Sequence, residues 1–446
     1  MITHPILSNL AMSGMKLGLD RVREFLQLLG EPHRQFAVVH VAGTNGKGSV
    51  TAMVATALRE AGYRVGANFS PHTSELNERI WIDGVPIEDA YLHEVLETLD
   101  RARREWAQAA GIEGEPLTYF EMVTCAAFLA FSRSQVDIAV IETGLGGRLD
   151  ATNVVHPQVV AVTSVAFDHM EQLGDTLIAI AGEKAGIFKK GASAVLGPMD
   201  PGILPVFTRR AGVLGMALWR PGADLRRSIS RGLWSFSTPL GTLEEVELGL
   251  EGEHQGANAS VAIGVLHQLR EQGFPVDDEA IRRGLRKAWL PGRLEEVAPG
   301  IFVDGAHNLA ATEALSRWLA RRPRPGCRIL LFGMGEGRDA LAIAQPLVPY
   351  IDELVTTRCA HPKARDPYDL AVSLQDLQVV LAAGDEIEIT LPEIAAEADE
   401  IIVAGSLYLA GAVRTLVAEG LLDSPELGAE PSEQGVEDQP AVDIDP

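Results

Sequence analysis

The chain has 446 residues, of which 46% are hydrophobic and 22% charged, with a formal net charge of -23. That length exceeds what one hydrophobic core usually organises, so two domains are expected, with the composition of an ordinary globular protein. The acidic balance argues against a sequence-independent nucleic-acid binder or a binder of anionic membranes, both of which need a basic surface, so no nucleic-acid and no membrane partner is expected; a monomeric chain with small-molecule partners is expected as well.

The first residues, MITHPILSNLAMSGMKLGL, carry neither the basic flank nor the continuous apolar core of a signal peptide. No stretch reaches the unbroken apolar length of a membrane span, so a cytoplasmic location is expected. Cys125, Cys327 and Cys359 lie far apart with no C-x-x-C pair, which suits small core hydrophobes in a reducing compartment and disfavours a sulfur-ligated metal.

Along the chain, Phe36 to Val41, Val136 to Glu142, Val159 to Val165 and Ala192 to Leu196 are strand-like runs separated by amphipathic stretches. Such alternation predicts an α/β domain with a mostly parallel sheet. The first run opens into Gly43, Thr44, Asn45, Gly46, Lys47, Gly48 and Ser49, followed by apolar Val50, Met53, Val54, Ala57 and Leu58 at helical spacing. A glycine-rich loop between a strand and a helix N-terminus is a phosphate cradle: free N–H groups and the helix dipole point at an anion, and the glycines allow close approach. Lys47 is expected to reach the β/γ-phosphates and the Ser49 hydroxyl a Mg²⁺ ion, although Gly48 separates the two where the usual P-loop has them adjacent.

Glu142 ends its strand before the glycine-rich TGLGGRLDATN, and ligands of open α/β sheets bind at strand carboxyl ends; a carboxylate there beside a P-loop is a candidate Mg²⁺ ligand. Asp168 and His169 follow the next strand, and Glu183 and Lys184 close a helical stretch. Taken singly, those last residues read as a cap, a satisfied histidine and a solvated cation. Residues 206 to 251, with clustered Arg, Gly and Trp and a polar/apolar alternation in GLWSFSTPLGTLEEVELGL, suggest a small antiparallel patch appended to the sheet; helical patterns follow at 258 to 272 and 278 to 288. After the Pro/Gly-punctuated WLPGRLEEVAPG, the runs IFVDGA, RILLFGMG, ELVTT and EIIVAGS read as buried strands of a smaller α/β domain. The expected divisions are 1–297, 298–422 and an acidic, lysine- and arginine-free tail, 423–446, too polar to fold.

The segments HVAGTNGKGS, SPH with NERI, TYFE, ETGLGGRLDATN, DH, EKAGI, GRLE, DGAHN and AGSLYLAG occur in the order found in folylpolyglutamate synthase and dihydrofolate synthase, and over about residues 15 to 418 the chain resembles that family. The resemblance implies a Mur-ligase-like central P-loop domain with a smaller Rossmann-like C-terminal domain, and ATP-dependent addition of L-glutamate to dihydropteroate or a reduced folate through an acyl phosphate. It implies that Lys47 and the loop amides hold phosphate, that Ser70 and Glu142 bind one Mg²⁺, and that His169, Lys184 and Glu142 serve a second. Lysine can do so only as a carbamate, formed when CO₂ adds to its amine, because an ammonium would repel the metal. It further implies that Arg293 contacts phosphate, that Asn258 lies near adenine, and that Asp304 and His307 close the site from the second domain. Thr73 and Glu75, Met170 and Gln172, and Arg338 depart from the family's usual residues; the first two border the expected folate site. The rival readings are a P-loop ATPase without ligase activity, and a muramyl-peptide-type ligase, disfavoured because the P-loop starts at Gly43 and leaves no room for a preceding nucleotide-sugar domain.

Overall fold

In the computed structural model, the structure describes residues 4–11, 18–324, 326–359, 361, 363–384 and 386–422. The expected acidic tail, 423–446, lies outside the described residues. The first sheet is built from β1 (Ala37–Ala42), β2 (Val65–Asn68), β3 (Ile80–Ile82), β4 (Val85–Pro86), β5 (Ile138–Glu142), β6 (Val159–Val162), β7 (Ser193–Leu196) and β8 (Leu218–Trp219). Their order is β4-β3-β2-β5-β1-β6-β7-β8, parallel from β2 to β8, with β3 and β4 antiparallel at one edge.

The central strands are apolar on both faces because both faces are covered. Val39, Val41, Ile138, Val140, Val159 and Ala161 pack against the helices Lys47–Glu60, Glu253–Glu271 and Asp278–Lys287. The alternate residues face two further layers: Val38, Ala139 and Ile141 meet the helices Asp89–Ala110 and Tyr119–Arg133, while Val160 and Val162 meet Leu177–Ala185 and Leu204–Leu214. Val50, Met53, Val54, Ala57 and Leu58 are fully buried, so the helix behind the glycine loop is fixed along its whole apolar face.

A separate three-stranded antiparallel sheet holds β9 (Arg226–Ser230), β10 (Leu233–Thr238) and β11 (Gly241–Val246). The antiparallel patch expected across 206 to 251 is therefore confined to 226–246. Its first part is the helix Leu204–Leu214, stopped by Gly215 in the left-handed conformation, and β8 pairs in parallel with the main sheet. The helix expected from residue 258 begins at Glu253, because its polar first turn hides the start from the apolar pattern.

The third sheet has β12 (Glu295–Ala298), β13 (Ile301–Val303), β14 (Arg328–Phe332), β15 (Glu353–Thr356), β16 (Val380–Ala383) and β17 (Glu400–Ala404), in the order β12-β13-β17-β14-β15-β16. The division expected at 297/298 falls inside β12, whose antiparallel pairing with β13 assigns the strand to this sheet. Ile329, Leu331, Ile401 and Val403 face one helical layer and Leu330, Phe332, Ile402 and Ala404 the other. Cys125 and Cys359 are buried, whereas Cys327, expected in the core, is only partly so. Among the described residues no helix is long and apolar enough to cross a membrane.

Candidate active site

The carboxyl ends of β1, β5 and β6 converge, and the second domain lies across them. After β1 the loop Gly43–Gly46 is tied to the segment following β6. The Thr44 N–H donates to the Ser164 carbonyl (2.9 Å), the Asn45 N–H to Ser164 Oγ (3.0 Å), and Thr163 Oγ1 donates back to the Asn45 carbonyl (2.6 Å). This turn onto the loop is why β6 stops at Val162, short of the expected Val165. The glycines are needed for space. A Cβ on Gly43 would stand 1.9 Å from Thr163 Oγ1, and one on Gly46, whose φ is +84°, 2.3 Å from Asn258 Oδ1. Asn258 therefore seats the loop, with its amide donating to Gln255 (2.8 Å).

The helix begins at Lys47, so its free N–H groups open towards the same space. Lys47 Nζ donates to the Thr44 carbonyl (3.2 Å) and lies 3.9 Å from Glu142. Glu142, at the end of β5, is buried and takes the Ser70 N–H on its other oxygen at 3.2 Å. Burial pushes its carboxyl up to about 7 against the pull of Lys47, the Ser70 N–H, Arg293 and Arg79. Lys184, only 2% exposed, has its ammonium brought down to about 7 by burial, with Lys47 adding to the effect. His169 is exposed, with φ +49° and its ring lowered by burial of part of its surroundings. The Lys47 ammonium favours the charged form of Glu142 and disfavours that of His169 and Lys184.

From the second domain, Asp304 accepts the N–H groups of Leu294 (3.0 Å) and Ala306 (2.8 Å), one on each oxygen. Its carboxylate thus pins PGRLE against DGAHN. Arg293 donates to the Gly292 carbonyl (2.9 Å) and passes so near Gly305 that a Cβ there would stand 2.6 Å from its Nη1. His307 Nδ1 donates to the Gly305 carbonyl (2.7 Å), which turns Nε2 to Asp168 at 3.8 Å. Asp168 gathers further groups from the second domain, Asn308 Nδ2 at 3.4 Å and Arg338 at 3.7 Å. Burial would raise its carboxyl, but His307, His169 and Arg338 beside it outweigh that and hold it well below the usual carboxylate range.

Two groups carry structure that the sequence reading assigned no role. Thr163 and Ser164 fasten the phosphate loop, and Asn308 crosses between the domains; the polar residues just past a strand, and an asparagine before the helical run LAATEAL, were the available signals. The departures also find places. Thr73 is buried against Gly411 of the second domain and its N–H is taken by Glu78 (2.6 Å), while Met170 is exposed.

Among the described residues no three His, Cys, Asp or Glu side chains converge on a metal-sized point. A cation that needs a full cage of protein donors does not fit. Mg²⁺ does, because it is habitually held by one or two carboxylates together with substrate phosphates, and the buried Glu142 carboxylate lies beside the phosphate-loop lysine.

These features define a class: a two-domain, P-loop α/β ligase whose site is shared between domains. Residues 90–266 match the Mur ligase middle domain, and residues 292–407 the Mur ligase glutamate ligase domain. The chain is 33% identical over 435 residues to the dihydrofolate synthase/folylpolyglutamate synthase of Mycobacterium tuberculosis, covering 89% of each, and 39% identical over 326 residues to that of Bacillus subtilis, covering 69% of this chain and 73% of the relative. The structure of Escherichia coli FolC in complex with DHPP and ADP superposes with a TM-score of 0.83 at 31% identity, over 93% of this chain and 96% of that one. The chain belongs to the folylpolyglutamate synthase/dihydrofolate synthase family, and is an ATP-dependent carboxylate–amine ligase. The high-coverage match to folate ligases stands against the non-ligase and muramyl-peptide readings.

Proposed function

We propose that the chain joins L-glutamate to dihydropteroate, giving dihydrofolate, and then extends tetrahydrofolate with further glutamate. A carboxylate is a poor electrophile, so it must first acquire a leaving group. One carboxylate oxygen of the acceptor attacks the γ-phosphorus of ATP and ADP leaves. The amine of glutamate then attacks the acyl carbon, loses a proton, and expels phosphate with that carboxylate oxygen. The observation that carries this reading is a phosphate-loop lysine 3.9 Å from a buried carboxylate, on a loop that Asn308 of the second domain reaches.

In this reading Lys47 and the N–H groups from Gly43 to Ser49 hold the phosphates, with the Ser49 hydroxyl beside them, and Arg293 supplies a planar fork of donors from the far side. Asn258, packed on Gly46, borders the nucleotide side of the loop. Glu142 with Ser70 would hold Mg²⁺, and His169 with Lys184 a second ion. When bound, these ions neutralise charge on the phosphoryl group in transit. An amine lowered to about 7 is substantially neutral near pH 7, the form that adds CO₂, so Lys184 is suited to carry a carbamate with two hard oxygen donors. Asp304 is a positioning residue, since both its oxygens are already taken by backbone N–H groups. His307 closes the site over Asp168. Domain closure would exclude water from the acyl phosphate.

The test supplies dihydropteroate and tetrahydrofolate separately with ATP, Mg²⁺ and L-glutamate. The expected result is ADP, phosphate and a product one glutamyl group heavier from each acceptor. ADP release with no amide product from either would refute the reading.

A further inference from the structure

Asn45 and Asn308 face each other across the domain boundary as a reciprocal amide pair. Asn45 Nδ2 donates to Asn308 Oδ1 at 3.1 Å, and Asn308 Nδ2 donates to Asn45 Oδ1 at 3.0 Å. The orientation of both amides is fixed by a third partner. Asn308 Oδ1 also accepts the Ala311 N–H (3.0 Å) as the N-cap of the helix Leu309–Leu319, and Asn308 Nδ2 also points to Asp168 Oδ2 at 3.4 Å. A flipped Asn308 amide would set its NH₂ against the Ala311 N–H and its oxygen against a carboxylate, so only this arrangement satisfies every group. Asn308 is 7% exposed, so its bonds compete little with water.

The pair joins three pieces: the phosphate loop through Asn45, the segment after β6 through Asp168, and the first turn of a helix of the second domain. Other contacts also hold the domains together, including Trp318 Nε1 to Glu251 (3.0 Å) and Ser74 Oγ to the Gly411 carbonyl (3.1 Å). The asparagine pair differs from them in that it acts on the phosphate loop itself.

We propose that Asn45 and Asn308 form a clasp that sets the phosphate loop in register with the second domain, so that the γ-phosphoryl group is transferred only where the acyl phosphate is met by the amine rather than by water. Asn308 is here a positioning residue. The catalytic half of the test rests on the ligase reading, and the stability half does not.

Asn308→Ser keeps an N-cap acceptor but is too short to reach Asn45, whereas Asn308→Ala removes cap and clasp together. In the full chain, Asn308→Ser is expected to release about fivefold more ADP per amide formed than the parent, with a thermal midpoint lowered by loss of the clasp but by less than that of Asn308→Ala. Asn308→Ala should lose the same coupling and also several degrees of midpoint. In the stability arm, Asn45→Ala combined with Asn308→Ser should lose no more midpoint than the worse single variant, because both remove one interaction. Asn308→Ser with the parent's ADP-to-amide ratio, alongside an Asn308→Ala that is merely less stable, would reduce Asn308 to a helix cap. Fully additive midpoint losses in the double variant would likewise overturn the clasp. A parent protein that makes no amide at all would refute the ligase reading and leave the stability arm standing.

Discussion

Gly46→Ala tests whether the loop must hold the conformation described here in order to bind nucleotide. Two costs are visible. Gly46 has φ +84°, which an alanine adopts at about 1–2 kcal/mol. Its new Cβ would stand 2.3 Å from Asn258 Oδ1 and 3.0 Å from Asn258 Cγ, so the asparagine must move. Asn258 is 8% exposed and its amide is bonded to the fully buried Gln255, so moving it sacrifices a hydrogen bond that contributes about 1 kcal/mol. Together the loop conformation becomes less favourable by roughly 2–3 kcal/mol, which lies within the margin of a folded domain but lowers nucleotide affinity by about 30- to 150-fold. Calorimetric titration with ADP measures it. Gly191→Ala is the control: its φ is +90° with nothing within 4 Å of the added Cβ, so it bears the backbone strain without touching the loop. A Gly46→Ala protein that is folded and binds ADP within about threefold of the parent would refute the reasoning.

Other consequences are open to direct measurement. Lys47→Ala and Arg293→Ala should each lower kcat by at least about 100-fold with both acceptors while the thermal midpoint stays near the parent's; equal activity would remove the residue from the phosphate site. Lys184→Ala should be inactive and partly restored by acetate, and Lys184→Arg should stay inactive because a permanent cation remains; an active Lys184→Arg enzyme would contradict the carbamate. His40 is fully buried against Thr152 (2.9 Å), and burial, with Lys189 adding to it, depresses its ring to about 3. Its folded value lies below the unfolded one near 6.5, so its contribution is fully present above pH 6.5 and is lost as the pH falls towards 3, amounting to about 2 kcal/mol between about pH 7 and pH 5. Denaturant titrations of His40→Gln should show a pH slope of stability shallower by that amount, and an unchanged slope would place the histidine's proton elsewhere.

Much of the site was legible because its chemistry sits where strands stop. β1 and β5 end in Ala42 and Glu142, just where their apolar runs end, and the glycine loop is a local pattern. Long-range placement was not legible. Nothing local says that Asn258 seats Gly46, more than two hundred residues away, or that Asp304 spends both oxygens on backbone N–H groups instead of on a substrate. Asn308 had a readable signal as a helix cap, but its second partner, Asn45, belongs to the other domain. β12 was misassigned for a related reason: Glu295–Ala298 is short and only partly buried, and it is the pairing with β13 that makes it a strand of the second domain's sheet. The helix Leu204–Leu214 was obscured by its arginines and glycine, which scatter its apolar stripe.

Oxygen isotope transfer tests most directly whether the acceptor carboxylate becomes an acyl phosphate before the amide forms. Dihydropteroate labelled with ¹⁸O in its carboxylate is turned over with ATP, Mg²⁺ and L-glutamate, and the phosphate released is weighed by mass spectrometry. An acyl phosphate predicts one labelled oxygen in the phosphate for each amide made, because the oxygen that attacked phosphorus leaves with it. Unlabelled phosphate accompanying amide product would contradict the account.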